Sequence, residues 1–313
     1  MKKSTCCLTL CFLSVVIAPS APSQTVYVIP SCDTSIWDNT SGGNVHYNYI
    51  NEFDFDVFTN RHAVVAEVMS ATFRNAHQDS VGQPFVLSWF MHGGGWFHLG
   101  TNTTAITPLY LIREYWGPQL EQWGDELAYH YHHFDWNGSQ WVMADTFLEY
   151  LWDFEGTLAQ MVIDEALYPV SFRSGWNYMD NSYQHELEKW MPYRLEGGSW
   201  MASAVPYHPS FADYRVPGTM KGWEVRHYYT GSFSQSVSDQ MFSTAAAGTD
   251  QVVCIWSHQN EPTFPQQWDG VHTRLENSAA TYPSVQFLYG TARETMRQWQ
   301  GASDFEAPAL ELS

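Results

Sequence analysis

The feature that most constrains the fold of this chain is a regular alternation of strand-like and helix-like segments. Apolar runs of strand length recur along the sequence, and segments with apolar residues three or four apart separate them. Strands are predicted at 25–33, 84–91, 125–133, 169–176, 250–261 and the start of 285–301. Helices are predicted at 60–77, 107–124 with a break near Gly117–Pro118, 146–167, 181–191 from an asparagine cap, 236–248 and the end of 285–301. This alternation predicts an α/β fold with a mostly parallel sheet, either doubly wound or closed as a barrel.

The charge of the chain restricts its partners. It has 14 basic and 33 acidic residues, with a formal net charge of −19 at pH 7. Because phosphate binding needs clustered Lys and Arg, this balance argues against nucleic acid and against an anionic membrane surface. The length suits one large domain or two small ones. Hydrophobic residues make up 44% of the chain, which is ample for a core, and the 15% of charged residues argues against a disordered chain.

The N-terminus has the pattern of a signal peptide. Lys2 and Lys3 precede an apolar run at 8–17, and small residues follow it. This run is too short to span a bilayer and no later stretch qualifies, so we expect no membrane insertion. We predict a signal peptide at 1–23, one α/β domain at 24–301, and a segment at 302–313 that is a tail or the start of a following module. The protein is then expected to be secreted, or to lie in the periplasm or cell envelope.

Two cysteines follow the predicted signal peptide, Cys32 and Cys254. In an oxidising compartment they could form a disulfide. Two buried free thiols are the alternative, and the sequence leaves both possibilities open.

Polar side chains that can carry out chemistry stand where the predicted strands end. In parallel α/β folds the carboxyl ends of the strands meet at one edge, and active sites form there. We therefore expect a shared site for the residues at these ends: Asp33, His92 with three glycines after it, His130, His132, His133, Arg173 and His258.

The spacing of His130 and His132 predicts a metal site. On an extended segment residues two apart point to one side, whereas His133 points to the other. Two imidazoles and a carboxylate are a common ligand set of a catalytic divalent ion that keeps positions for water and substrate. Zinc suits these ligands, and cobalt, nickel and manganese share them. Glu126 or Asp135 could orient an imidazole. The alternative is a polar strand whose histidines bond to their neighbours.

In sequence order, these motifs resemble the NodB-like polysaccharide deacetylases, the carbohydrate esterases with a distorted (β/α)7 barrel. The resemblance extends over about residues 25–300 and rests on the order and spacing of short motifs. The motifs are "PSCDTS" with Asp33, "LSWFM" at 87–91, "WGDELAYHYHHFDW" with its His-x-His and following Trp, "SFRSGWNYMDN" with Arg173, and "CIWSH" with His258.

The resemblance implies a distorted (β/α)7 barrel and a role for each matching residue. Asp33, His130 and His132 would hold a divalent metal, which polarises an acetyl carbonyl and lowers the pKa of a bound water. His258 would be the general acid that protonates the leaving amine or alcohol. Arg173 would orient a carboxylate by charge-assisted hydrogen bonds, with an ordinary salt bridge as the alternative.

The chain departs from the family pattern at three positions. The family usually has two adjacent aspartates after the first strand, whereas Cys32 precedes Asp33 here. Asp33 could then bind the metal or act as the base, and the other role would need a further acid, with Asp38, Asp180 and Glu261 as candidates. The second histidine follows after two residues instead of four, and Gly175 stands in place of a proline.

The chain is rich in aromatic residues, with 15 Trp and 18 Tyr. Such side chains pack in cores and also stack on the apolar faces of sugar rings. The side chains predicted to bind substrate are Trp176, Trp136, His92 and Tyr207. The segment "MHGGGWF" at 91–97 is similar to the oxyanion loop of some esterases, but the Gly-x-Ser-x-Gly elbow that a serine esterase requires is not found in the sequence. The glycines are therefore interpreted as a turn beside the site.

Together these observations predict a secreted, metal-dependent hydrolase, similar to polysaccharide deacetylases, that removes N- or O-acetyl groups from a carbohydrate. One alternative is a metal-assisted glycoside hydrolase on a related barrel, which needs two carboxylates about 5 Å or about 6.5–9.5 Å apart. The other is a catalytically inactive barrel whose Trp and Tyr side chains bind a glycan.

Overall fold

The computed structural model describes residues 24–35, 55–59, 62–94, 104–137 and 141–302. The strands in these ranges are β1 (Gln24–Asp33), β2 (Ser88–Gly93), β3 (Glu126–Tyr131), β4 (Phe134–Trp136), β5 (Trp141–Met143), β6 (Ser171–Ser174), β7 (Tyr193–Gly197), β8 (Trp223–Tyr229), β9 (Gln251–Ser257) and β10 (Val285–Tyr289). The α-helices are α1 (Ala63–Val68), α2 (Ala71–Ala76), α3 (Thr107–Trp123), α4 (Leu151–Glu165), α5 (Asn181–Trp190), α6 (Gln235–Ala246), α7 (Phe264–Thr281) and α8 (Ala292–Trp299). Short 3-10 helices lie at Phe55–Phe58, Phe147–Tyr150 and Gly175–Asn177.

Seven of the strands close into a parallel barrel, in the order β1, β2, β3, β6, β7, β8 and β9, and β9 pairs back with β1. On its other side β1 pairs with β2 only over Ser31–Asp33, so its first residues pair with β10. β4 and β5 form a separate antiparallel hairpin. The (β/α)7 barrel predicted from the motif order is therefore confirmed.

Side chains alternate between the two faces of the barrel wall. The outward face packs against the helices through large residues such as Trp89, Tyr129 and Phe172. The inward face is filled by smaller apolar residues, among them Ile29, Ala128, Val225 and Cys254. The core therefore has two layers, and inward positions near the strand ends are the ones that can form a site.

Helix α8 closes the amino-terminal end of the barrel. Its Ala292 and Met296 belong to the inner cluster. The Ala292 N–H donates to Ser88 Oγ at 2.8 Å, and the Arg293 N–H donates to Glu126 Oε2 at 3.0 Å. Because Ser88 and Glu126 are the first residues of β2 and β3, this contact lies opposite the carboxyl ends of the strands.

β7, β8 and α7 were not predicted from the sequence. β7 and β8 contain buried charged residues in place of an apolar run, and these face α5. Arg194 Nη1 donates to Gln184 Oε1 at 3.0 Å, and Gln184 Nε2 donates to Glu224 Oε2 at 2.9 Å. The signal for α7 was present as buried residues at helical spacing, Phe264, Trp268, Val271 and Leu275.

Three predictions about helices were wrong. α3 runs without a break through Pro118. Pro118 and Glu114 both lie on the exposed side, where solvent can reach the carbonyl that loses its N–H partner. The predicted helix at 60–77 is two helices, because Ser70 caps α2 by accepting from the Phe73 N–H. α5 is capped by Asp180, which accepts from the Tyr183 N–H at 2.7 Å, and not by Asn181.

None of the helices in the described ranges combines the length and the apolar character needed to cross a bilayer.

Cys32 and Cys254 are buried free thiols. Cys32 belongs to the outer cluster and Cys254 to the inner one, so the two side chains lie on opposite faces of the barrel wall. Burial raises the pKa of Cys32 well above its usual value and that of Cys254 to about 12. Of the two possibilities that the sequence left open, the structure shows the unpaired one.

We therefore expect protein purified without reductant to retain both thiols. A thiol reagent should react with neither cysteine in the native state at neutral pH and with both after unfolding. The thermal midpoint should be the same with and without a reductant. A midpoint that falls on reduction would contradict the unpaired assignment.

Candidate active site

A cavity of about 150 Å³ lies at the carboxyl ends of the barrel strands. The described residues that line it are Asp33, Thr34, Ser35, His92, His130, His132, Ser174, Trp176, Asn177, Trp256 and His258. Most of the residues predicted from the strand ends therefore lie together.

The parallel register explains why these side chains meet. His92 is the register partner of His130, and His130 is the register partner of Arg173. Residues that are partners on neighbouring parallel strands project from the same face. Asp33, at the end of β1, projects to the same interior and contacts Arg173. The strand-end polar residues thus form an inward-facing ring around the cavity.

The imidazoles of His130 and His132 face each other, with their Nε2 atoms 3.0 Å apart. His130 Nδ1 lies 3.0 Å from the carbonyl oxygen of Arg173. A carbonyl can only accept, so Nδ1 carries the proton and His130 Nε2 presents a lone pair. Neither Glu126 nor Asp135 orients His130, since this carbonyl does so; Glu126 lies at the far end of β3.

Both histidines of this pair are held in the neutral form. Burial is the main cause that lowers the pKa of His130 to about 4. The negative charge of Asp33 raises this pKa, and the positive charge of Arg173 lowers it. Burial, and then the neighbouring His92, lower the pKa of His132 well below its usual value. Metal ligation requires neutral imidazoles, so the pair is in the protonation state that a ligand needs.

Asp33 forms a forked ion pair with Arg173. Nε of Arg173 lies 2.8 Å from Oδ1 and 3.0 Å from Oδ2 of Asp33, and Nη2 lies 3.0 Å from Oδ2. Both side chains are almost completely buried. Burial alone would lower the pKa of Arg173, but the charges of Asp33 and Glu196 raise it, so the guanidinium stays charged. A fork of this kind fixes the position and the orientation of the carboxylate.

Arg173 is itself held from four further directions. It donates to Leu195 O at 2.5 Å, to His227 Nδ1 at 2.9 Å and to Asn177 Oδ1 at 3.0 Å. Its guanidinium carbon lies 4.8 Å from the centre of the Trp256 ring. His227 and Asn177 were not predicted as site residues, because their roles depend on contacts that the linear sequence does not display.

His258 is paired with Glu261. Its Nδ1 lies 2.9 Å from Glu261 Oε1, and the Tyr229 hydroxyl donates to Oε2 of the same carboxylate at 2.8 Å. Burial raises the pKa of Glu261, but hydrogen bonds from His258 and Gln267 lower it by more. The pKa of Glu261 is therefore below its usual value. Because Nδ1 is engaged by a charged carboxylate, proton exchange with a molecule in the cavity falls to Nε2.

The turn after β6 positions the aromatic rim of the cavity. Trp176 and Asn177 have φ angles of 53° and 54°, which non-glycine residues rarely adopt. The Trp176 ring stands edge-on to His132 at 5.2 Å and to Phe134 at 4.8 Å between ring centres. At Gly175 a Cβ atom would overlap the imidazole of His132. The glycine that replaces the proline expected there therefore makes room for His132.

The other predicted residues lie elsewhere. Tyr207 does not line this cavity; a bridge to Glu224 holds it beside the beginning of β8, and its hydroxyl donates to Tyr214 O at 2.9 Å. Trp136 is in β4, but its side chain lies outside the described residues, as does Asp38. Asp180 is occupied as the cap of α5.

The residues present fit a divalent metal in part. In the described ranges, no group of three His, Cys, Asp or Glu side chains is gathered into a ready-made ion site. Two features nevertheless match the requirements of one. His130 and His132 bring two Nε2 atoms to 3.0 Å from each other, and an outer carbonyl fixes the tautomer of His130. The sequence predicted that these two side chains would bind a metal together with Asp33, and that assignment stays a prediction.

Neither a protein-family model nor a curated protein matches this chain at the level of sequence. A comparison with solved structures gives PuuE allantoinase with a TM-score of 0.52, 9% identity, and coverage of 90% of this chain and 92% of that chain. The chain has the fold of PuuE allantoinase. An identity this low shows the fold alone.

Proteins provisionally described as polysaccharide deacetylases recur among the similar structures. One from Mycobacterium smegmatis has a TM-score of 0.48 and 12% identity, and covers 95% of this chain and 98% of its own. One from Pseudomonas aeruginosa PAO1 has a TM-score of 0.47 and 9% identity, and covers 91% and 93%.

Proposed function

We propose that the protein is a metal-dependent hydrolase that removes acetyl groups from a carbohydrate, acting outside the cytoplasm after removal of the N-terminal segment. One observation carries the proposal: the neutral His130–His132 pair and the Asp33–Arg173 fork line a single small cavity. Together they supply a partial metal site and a charged carboxylate beside it.

His130 and His132 would hold the divalent ion, and zinc suits such nitrogen ligands. When bound, the ion supplies Lewis-acid polarisation of the acetyl carbonyl and acidifies water. Asp33, held in place by the Arg173 fork, would accept the proton of the attacking water. His258, oriented by Glu261, donates a proton from Nε2 to the leaving nitrogen or oxygen. The small cavity accommodates the acetyl group, while Trp176 at the rim offers an aromatic face to the sugar.

The alternatives have less support. A glycoside hydrolase needs two carboxylates at the bond that is cleaved, and Asp33 is the sole carboxylate among the described residues that line the cavity. An inactive glycan-binding barrel would not need His130, His132, His258 and a carboxylate gathered around one cavity. This alternative is a defined outcome of the experiment below.

The test is acetate release by the zinc-loaded protein from matched N-acetylated and O-acetylated oligosaccharides. We expect release from one of the two classes, and none from a His130→Ala, His132→Ala double variant. Sugar binding without acetate release from either class would overturn the proposal in favour of the glycan-binding alternative.

Gly175→Ala is expected to displace the His132 imidazole, because the added methyl group overlaps that ring. A shift of about 1 Å at a catalytic group costs on the order of 10²-fold in rate, so kcat/KM should fall by about that factor. The matched control is Gly117→Ala, at a helix position with no atom within 4 Å of the added methyl. Equal activity of the two variants would show that Gly175 does not position His132.

A further inference from the structure

We propose that helix α4 is the contact surface of a symmetric homodimer, in which it packs antiparallel against α4 of a second copy of the chain. The proposal concerns the outer side of the barrel and does not depend on the proposed function.

The first argument is an exposed apolar stripe along α4. Trp152 is 72% exposed and Ile163 is 79% exposed, the two highest fractions among the large hydrophobic side chains of the described ranges. Gly156 and Ala159 lie between them and are exposed as well. At 3.6 residues per turn, the four positions fall within about 60° of the helix circumference. α4 therefore has an apolar side that faces solvent, apart from the side that packs against the barrel. Contiguous exposed apolar surface of this kind marks an interaction site.

The second argument is the glycine in the middle of the stripe. Glycine in a helix interior is unfavourable relative to alanine, because it loses more backbone freedom on folding. At Gly156 no atom of the described residues lies within 4 Å of an added methyl group, so packing within the chain gives no reason for the glycine. The distance between two packed helices depends on the side chains at their contact. Gly156 and Ala159 give α4 the shallow centre that a close approach of a second helix needs.

The third argument is the self-complementary order of the stripe. We consider an antiparallel pair with a two-fold axis between residues 157 and 158. Trp152 then lies level with Ile163 of the second copy, and Gly156 lies level with Ala159 of the second copy. Each contact occurs twice, as an interface between identical surfaces requires. Large side chains meet at both ends of the contact, and small ones meet at the axis.

The charges of α4 are compatible with this pairing. Glu155 lies level with Gln160 of the second copy, and Asp164 lies level with Leu151 of the second copy. No acidic residue of α4 is level with another acidic residue, so the contact itself brings no carboxylates together. The formal net charge of −19 still repels two copies at longer range. Because ions screen that repulsion, the Kd of the dimer should fall when salt is added.

The area of the stripe indicates a weak dimer. Leu148 is 56% exposed, precedes Trp152 by about one turn, and lies level with Leu167 of the second copy. Two copies of the stripe would bury on the order of 1,000 Å² in total, which is the lower limit of a specific interface. We therefore expect a Kd in the micromolar range.

The experiment measures sedimentation of the full chain as a function of its concentration. For the wild type we expect mostly dimer at on the order of 100 μM, as a micromolar Kd requires. Trp152→Glu and Ile163→Lys should each be monomeric there, because each variant puts a charge into both copies of the contact. An equimolar mixture of the two should form a heterodimer. One of its two contacts keeps Trp152 against Ile163, and the other pairs the introduced carboxylate with the introduced ammonium.

Two further variants separate specific packing from general adhesion of apolar surface. Val81→Glu changes an exposed apolar side chain between α2 and β2 and should dimerise as the wild type does. Gly156→Leu enlarges the apolar surface, yet it should prevent the dimer, because the added side chain stands where the two helices are closest. Circular dichroism verifies the fold of each variant.

Four results would overturn the proposal: a wild type that stays monomeric at this concentration, single charge variants that dimerise as the wild type does, a mixture of them that stays monomeric, or tighter association of Gly156→Leu.

Discussion

Asp33→Asn is expected to lower kcat/KM for acetate release by about 10²–10⁴-fold, the range that general acid–base catalysis contributes. Asparagine keeps the size of the side chain and accepts from Arg173 through its single carbonyl oxygen, although its amide NH₂ group then faces a guanidinium donor; it cannot take a proton from water. The measurement is the initial rate of acetate release at saturating zinc, with a circular dichroism spectrum to verify the fold.

A carboxylate outside the cavity serves as the control for this substitution. Asp164→Asn, at an exposed position near the end of α4, should leave kcat/KM unchanged. A decrease of less than tenfold in Asp33→Asn would show that Asp33 is not the base. A loss of activity accompanied by loss of zinc would instead return Asp33 to the role of ligand.

Arg173→Ala is expected to lower the free energy of unfolding by about 3–5 kcal/mol, as for removal of one partner of a buried ion pair. The substitution leaves the buried Asp33 carboxylate without its cation and removes donors to Leu195 O, His227 and Asn177. Urea unfolding of the metal-free variant and wild type measures the difference. Metal-free protein is used so that altered zinc affinity does not enter the comparison.

The matched control is Arg215→Ala, which removes an exposed ion pair with Asp213. Exposed pairs contribute little to stability, so this variant should have the same free energy of unfolding as the wild type. If Arg173→Ala were no less stable than Arg215→Ala, the Asp33–Arg173 pair would not be the buried anchor of the site. Arg173→Lys should recover only part of the loss, because an ammonium cannot form the fork.

The fold was predictable where the strands are apolar. β1, β2, β3, β6 and β9 appear in the sequence as hydrophobic runs that end in a polar residue, and that is why Asp33, His92, His130, Arg173 and His258 could be placed at one edge. β7 and β8 could not be found in this way, since Arg194 and Glu224 within them face a buried polar network against α5.

The roles within the site were less predictable than its members. The sequence could not show that Asp33 is taken by Arg173, since that contact joins residues 140 positions apart. The partnership of His258 with Glu261 spans only three positions, yet it depends on the turn after β9. His92 was predicted to bind substrate, and it lines the cavity. The 5.2 Å between the His92 and His130 ring centres follows from the strand register, which the linear order does not show.

The most direct test of the account is a titration of metal-free protein with Zn²⁺ in which acetate release and bound zinc are measured on the same samples. We predict no acetate release without metal, activity that rises in proportion to bound zinc, and saturation at one equivalent per chain. Full activity of the chelator-treated, metal-free protein would contradict it.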